Sequence, residues 1–368
     1  MNALGRRIRE EIAARGPMRL DRFWNLALFD REGGYYTRRD PFGAGGDFIT
    51  APEVSQMFGE LVGAWLATAW RALGSPEPFV LAEMGPGRGT LTADVLRTLR
   101  QIEPAMLRAA RVRLVERSER LLAAQLERLA PFDLPIVGRR ELGELESLPL
   151  LLVANELLDA MAIRRLRFDG ENWRESVVAL EPGDALALLD GAPVAPPRAL
   201  ANLAPPEPGT VFEFSPERDA LAAQFGRRLA ERPGAVLLFD YGHLRPGFGD
   251  TLQALRAHRF APVLEALGEA DITSHVDFAR LAAILRAFGA ADVATLTQGE
   301  FLLGLGLRER AGSLGRDRDE ADRTRIVGEA RRLAGTGDGE MGALFKVCCA
   351  ASPRIELPFL GGSGLRAR

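Results

Sequence analysis

The stretch Val80-Leu-Ala-Glu83-Met-Gly85-Pro-Gly87-Arg-Gly89-Thr90-Leu91 decides the fold. The apolar run before the turn, Phe79 to Met84, has the length and composition of a buried strand. It ends in glycines at alternate positions, and a helical pattern follows from Thr90 to Arg100. A strand, a glycine-dense turn and a helix in that order present backbone N–H groups at a helix start to a nucleotide-like ligand. The spacing departs from the dinucleotide pattern G-x-G-x-x-G. Gly89 comes one place early, and Thr90 stands where that pattern takes Gly or Ala. Gly85, Gly87 and Gly89 are therefore candidate cofactor residues, with Glu83 at the strand's end, and a nicotinamide dehydrogenase is disfavoured.

The rest of the composition narrows the class. A chain of 368 residues with 47% hydrophobic and 26% charged residues suits one large α/β domain with insertions, or two domains. A net charge of -3 gives no reason to expect nucleic acid as a partner. Arginine supplies almost all the positive charge, since Lys346 is the only lysine, and pairs such as Arg6-Arg7 read as solvated charge. Cys348 and Cys349 are adjacent in an apolar run, which suits neither a disulfide between them nor a zinc site, so no metal is expected. No apolar run reaches the ~18 residues of a membrane span. Met1 to Ile12 lacks a secretory apolar region and carries acids early. A cytoplasmic location without membrane insertion is the resulting expectation.

Leu4, Ile8 and Ile12 lie at helical spacing before Gly16-Pro17, and Leu20 to Phe29 is a second helix. The glycine-rich segment from Gly33 to Glu53 carries aromatic residues and reads as a loop built to fold over something. Pro52-Glu53 opens an apolar helix from Val54 to Leu73, with Met57 and Trp65 as core. Ala109 to Val115 is the second strand, and Glu116 at its tip is placed to accept hydrogen bonds from ribose hydroxyls. Leu134 to Val137 is a short third strand. Leu148 to Ala154 is the fourth, delivering Asn155-Glu156 and Asp159 to the carboxyl edge of the sheet. From Ile163 the period changes to two: Ile163 to Phe168 and Trp173 to Leu180 form a hairpin, and a short pair flanks Asp190-Gly191. Ala192 to Pro208 is a loop. Ser215-Pro216 starts a helix through Ala230, and Ala235 to Phe239 is the fifth strand, ending in Asp240-Tyr-Gly-His243. A polar loop containing His258 follows, then a helix opening near Asp271 and running to Phe288. Val293 to Leu296 is a strand, Asp317 to Leu333 an amphipathic helix, and Met341 to Ala350 the closing strand.

Several segments together resemble the MidA-like family of S-adenosylmethionine-dependent methyltransferases, relatives of the mitochondrial complex I assembly arginine methyltransferase. They are Gly46-Asp-Phe-Ile-Thr-Ala-Pro-Glu-Val-Ser-Gln56 with Phe58-Gly59-Glu60, Glu83 to Leu91, and Asn155-Glu156 with Asp159. Further on come Asp240 to His243, Asp271-Ile-Thr273 with Val276-Asp-Phe278, and Met341 to Lys346. The resemblance covers almost the whole chain in order. It implies an α/β fold with a Rossmann-like (class I) methyltransferase sheet, mostly parallel with an antiparallel closing strand. N-terminal helices and a β-rich insertion complete it. The expected division is 1–78 (helices and lid loop), 79–165 and 215–350 (the core), 166–214 (a substrate-side insertion) and 351–368 (a tail). The implied cofactor is S-adenosylmethionine, and the implied partner is a protein substrate. The mitochondrial relative forms symmetric dimethylarginine on a 49-kDa-type core subunit of complex I. A homodimer is left open. Ala51 stands where the family suggests serine, and Asn155-Glu156 where some relatives have His-Glu.

On this resemblance, Asp47 and Thr50 of the lid loop and Asn155 join Glu83, Glu116 and the three glycines as cofactor residues. Methyl transfer from a sulfonium is an in-line displacement, so the protein mainly supplies proximity and alignment. An arginine guanidinium stays protonated, so carboxylates must hold it. Glu156, Asp159 and Asp240, at the ends of the fourth and fifth strands, are the candidates. His243 or His258 would relay the departing proton. Against these roles, Glu116 can be a solvated strand end, Asp159 a helix cap, and Asp240 or either histidine an organiser of its own turn. An assembly chaperone with vestigial catalysis and a small-molecule methyltransferase are the rival functions.

Overall fold

The computed structural model describes residues 2–38, 49–197, 200, 203–256 and 259–361. Asp47, His258 and much of the glycine-rich loop lie outside them. The chain forms two compact units. One comprises 1–48, 158–220 and 245–277, the other 49–157, 221–244 and 278–368.

The second unit is built on a sheet whose strands we number β1 to β7: β1 (Phe79–Met84), β2 (Ala110–Val115), β3 (Val137–Arg139), β4 (Leu150–Asn155), β5 (Gly234–His243), β6 (Asp292–Thr297) and β7 (Phe345–Ser352). Their order is β6-β7-β5-β4-β1-β2-β3. β1 to β5 run parallel, while β7 pairs antiparallel with both β5 and β6. The central strands are near-continuous apolar runs because helices cover both faces of a parallel sheet. Leu81, Leu151 and Ala235 are buried side by side. Cys348 and Cys349 lie fully buried in β7, and burial pushes the Cys348 thiol up to about 12, so these are packing residues.

The antiparallel closing strand follows the expectation, with shifted bounds. Met341–Leu344 is one helical turn, and the strand begins at Phe345. The third strand starts at Val137, where the expected one ended. The expected helix from Val54 to Leu73 is broken at Ser55. Ala51–Val54 is a single turn, Ser55 is extended, and its hydroxyl caps the helix Gln56–Ala72 by accepting the Met57 N–H at 3.4 Å. A helix at Leu307–Gly315 was not anticipated.

The helix Gln56–Ala72 packs closely on Thr90–Ile102, the helix that follows the glycine loop. A Cβ at Gly59 would stand 2.4 Å from Cβ of the buried Asp94. Gly59→Ala should therefore destabilise the chain by about 2–3 kcal/mol, because backbone or buried carboxylate must shift. Urea denaturation checks this, and an unchanged midpoint would mean that the helices part at no cost.

The first unit gathers helices Ala3–Arg15 and Leu20–Phe29 with two antiparallel sheets. One contains Met18–Arg19, Trp173–Leu180, Arg164–Phe168 and Val211–Phe214, with Leu186–Val194 added beside Trp173–Leu180. The other joins Gln253–Arg256, Arg259–Ala261 and Asp271–Thr273. Ile8, Ile12, Phe23, Trp24, Val178 and Ile272 share one core. Asp190-Gly191 is not a turn but lies inside the strand Leu186–Val194. Gly191 is needed there because a Cβ would come within 2.9 Å of the Glu175 carbonyl, beside an irregularity in the pairing. The turn falls earlier, where Gly183 (φ 92) and Asp184 (φ 65) take the left-handed conformation. The segment from Gln253 to Thr273, read as loop and helix start, is the second sheet, and the next helix begins at Phe278.

Candidate active site

The strand order places the site. From β1 the chain adds β2 and β3 on one side, then crosses to add β4 on the other. A parallel sheet opens a crevice at the carboxyl ends of its strands where its order reverses in this way. Met84 is level with Val115 on one side and Ala154 on the other, and Phe239 is level with Asn155. Glu116, Gly85 and Glu156 thus leave three adjacent strands at one edge, and Asp240 lies at the same level within the fourth, β5, the strands being about 4.8 Å apart.

Gly85, Gly87 and Gly89 have φ of 68, 54 and 75, left-handed conformations that favour glycine. The Gly85 N–H donates to the Val115 carbonyl (3.0 Å), and the Gly89 N–H to Pro86 (2.7 Å). A Cβ at Gly85 would meet Leu157 Cδ1 at 2.8 Å. Gly89 caps the helix Thr90–Ile102 without a side-chain acceptor; the Thr92 N–H goes to Glu83, which leaves the N–H groups of Thr90 and Leu91 for another partner. Two buried side-chain oxygens at this edge, Thr90 Oγ1 and Asn155 Oδ1, have no hydrogen-bond partner. These features fit a ligand that brings a carboxylate for the helix start and N–H or O–H donors for the oxygens, as S-adenosylmethionine does.

The two acids differ. Glu83 is buried, and its carboxylate accepts hydrogen bonds from the hydroxyl and backbone N–H of Thr92. Burial is the larger influence and pushes the carboxyl up to about 8 from 4.5. The folded chain therefore binds a proton that the unfolded chain releases, and this group's contribution to stability falls as pH rises from 4.5 to about 8. Glu83→Gln should gain about 4 kcal/mol more, relative to the parent, at about pH 9 than at about pH 5. Thermal melts at both pH values check this, and equal shifts would refute the raised value. Glu116 Oε1 accepts the Ser118 N–H (2.8 Å), and Oε2 accepts Gln125 Nε2 (3.2 Å). Burial raises its carboxyl too. An ionised carboxylate offers about four acceptor positions, so capacity for ribose hydroxyls remains.

Glu156 has φ 51, which is uncommon for a residue with a Cβ and costs roughly 1–3 kcal/mol. Its N–H donates to the Phe239 carbonyl of β5 (2.9 Å). Its Oε1 accepts from Asn155 Nδ2 (3.1 Å) and from the Ala51 N–H (3.2 Å), which draws the residue after Thr50 to this edge. Thr50 itself caps the turn Ala51–Val54 through its carbonyl rather than its hydroxyl. The strand expected to end at Phe239 runs on to His243, so Asp240 is fully buried within β5 opposite Lys346, its Oδ1 accepting the Tyr241 N–H (2.9 Å). His243 is partly exposed three residues further on. Asp159 belongs to the first unit, where its carbonyl accepts from Arg218 Nη2 (3.1 Å) and the Ser274 N–H (3.2 Å). The second unit therefore brings Thr50, Glu83, the three glycines, Glu116, Asn155, Glu156, Asp240 and His243 to one sheet edge. Sequence reasoning missed Gln125 and the ion pair of Glu53 with Arg88 in the glycine loop (3.6 Å).

The strand order and the glycine cradle at its switch point are those expected of an S-adenosylmethionine-dependent methyltransferase. The chain belongs to the S-adenosyl-L-methionine-dependent methyltransferase family whose model matches residues 61–296. It is similar to the zebrafish (Danio rerio) protein named "Protein arginine methyltransferase NDUFAF7, mitochondrial", 32% identical over 86% of this chain and 80% of the relative. The human protein of the same name is 32% identical over 83% and 74%. A Burkholderia thailandensis protein whose crystal structure holds S-adenosyl-homocysteine superposes with a TM-score of 0.81, at 28% identity, covering 95% of this chain and 92% of that one. The expected cytoplasmic location is overturned, because the zebrafish and human relatives are named as mitochondrial. No described helix is long and apolar enough to cross a membrane.

Proposed function

We propose that this methyltransferase acts on arginine side chains of a protein, a core subunit of respiratory complex I, and leaves symmetric dimethylarginine. The observation that carries the reading is Glu156, a carboxylate held at a strained backbone position beside Asp240 at the cofactor edge. The arginine methyltransferase names of the relatives agree with it.

When bound, S-adenosylmethionine supplies a methyl group on a sulfonium, an electrophile that requires in-line approach. The N–H groups at the start of Thr90–Ile102 hold its carboxylate, and Glu116 its ribose. Asn155 and the Ala51 N–H fix the Glu156 carboxylate before substrate arrives, so orienting it costs nothing at the moment of reaction. Glu156 and Asp240 then hold the guanidinium and draw its positive charge away from the attacking nitrogen. His243 takes the departing proton. Asp47 and Asp159 keep their assigned roles, cofactor and substrate, on the sequence argument alone.

Mapping methylarginine across the proteome of wild-type and deletion cells tests the reading. Loss of arginine methylation on a complex I subunit in the deletion is expected. Coincident maps would sink it. Rescue of complex I assembly by a Glu156→Gln chain would favour a chaperone instead.

A further inference from the structure

Gln125 is fully buried in the helix Glu119–Leu129, on the same face as Leu121 and Leu129. Four-residue spacing puts an apolar side chain there in an ordinary core-facing helix. A buried primary amide is costly unless its protons are taken. Both are: Nε2 donates to the Gly87 carbonyl (2.8 Å) and to Glu116 Oε2 (3.2 Å), while Oε1 is buried without a hydrogen-bond partner, a cost that the two donated bonds offset. Both partners are acceptors, so the amide orientation follows from chemistry, with the nitrogen facing them. The stem of the side chain lies under the glycine loop, because a Cβ at Gly89 would be 3.7 Å from Gln125 Cα, Cβ and Cγ. One side chain thus touches the second and third glycine positions and the acid at the tip of β2.

We propose that Gln125 is a positioning residue for the cofactor. It ties the Glu116 carboxylate to the Gly87 carbonyl, so that the acceptor for the ribose and the loop are set in one fixed relation before binding. The inference rests on the reading of Glu116 as the ribose acceptor. The geometry also favours an ionised Glu116: the Gln125 amide stabilises the charged carboxylate against the burial that opposes it. A side chain of the same shape without the amide protons would leave Glu116 both misdirected and harder to ionise.

The test is calorimetric binding of S-adenosylhomocysteine, and of its analogue lacking the ribose 2′ and 3′ hydroxyls, to the full chain. The variants are Gln125→Met, Glu116→Gln, the double variant and Gln125→Glu. Gln125→Met should weaken S-adenosylhomocysteine about tenfold and should shrink the preference over the dihydroxyl-lacking analogue. The double variant should bind no worse than Glu116→Gln alone, since Gln125 acts through Glu116. Gln125→Glu should bind better at about pH 5.5 than at about pH 8, because only the protonated acid can donate to Glu116. Losses that multiply in the double variant, or a Gln125→Met chain with undiminished ribose preference, would overturn the proposal and leave Glu116 in its role. If Glu116→Gln itself keeps full affinity and preference, the Glu116 reading fails, and this inference fails with it.

Discussion

A Glu156→Gln chain is expected to bind S-adenosylhomocysteine within a few-fold of the parent while transferring methyl groups about 10³-fold more slowly. The substitution keeps an oxygen that can accept from Asn155 Nδ2 (3.1 Å) and the Ala51 N–H (3.2 Å), so the strand end and the turn at Ala51–Val54 should hold their shape. What it removes is the negative charge. A charge-assisted pair with a guanidinium in a water-poor site is worth about 4 kcal/mol when one partner is neutralised, which corresponds to roughly three orders of magnitude in rate. Calorimetry and single-turnover transfer separate the two effects. Unchanged transfer would take Glu156 out of the chemistry.

Gly87→Val should cut affinity for S-adenosylhomocysteine by at least about 100-fold. The position has φ 54, where a residue with a Cβ is strained by roughly 1–2 kcal/mol and a β-branched one by more. The strain would turn the peptide that presents the Gly87 carbonyl to Gln125, disturbing the loop and the hold on Glu116 together. Calorimetric titration of the purified variant, with a thermal melt to show that it folds, checks this. Affinity within a few-fold of the parent would mean that the loop tolerates a side chain.

Much of the fold could be read from local runs. β1, β4 and β5 are almost wholly apolar because both faces are covered, and such runs need no partner to be recognised. The glycine turn was legible for a similar reason, since left-handed backbone demands glycine wherever it occurs. The misreadings have another origin. Gly191 looked like a turn residue, but its glycine answers a close carbonyl on the neighbouring strand, which no local pattern reveals. The sheet from Gln253 to Thr273 is short and half-buried, so its alternation was too brief to separate from a loop. Gln125 sits among charged residues of an amphipathic helix, and a polar side chain there gives little sign of burial. Its one signal was the four-residue spacing to Leu121 and Leu129. The candidate acids lie near the strand ends that the sequence patterns mark, but the strain at Glu156 belongs to the folded backbone alone.

The first unit is assembled from three separated lengths of chain, and this has a consequence for synthesis. Asn2 Nδ2 bonds to the carbonyl of Leu267, 265 residues away, and Trp24 Nε1 to that of Ala160 (2.8 Å). At 5–20 residues per second, roughly 10 to 50 seconds pass between emergence of the first helix and of its last partner. Throughout that interval Leu4, Ile8, Ile12 and Trp24 have no completed core to enter. The nascent chain should therefore depend on holdase protection at its amino-terminal end. No contiguous fragment that stops short of Asp277 can yield the first unit whole.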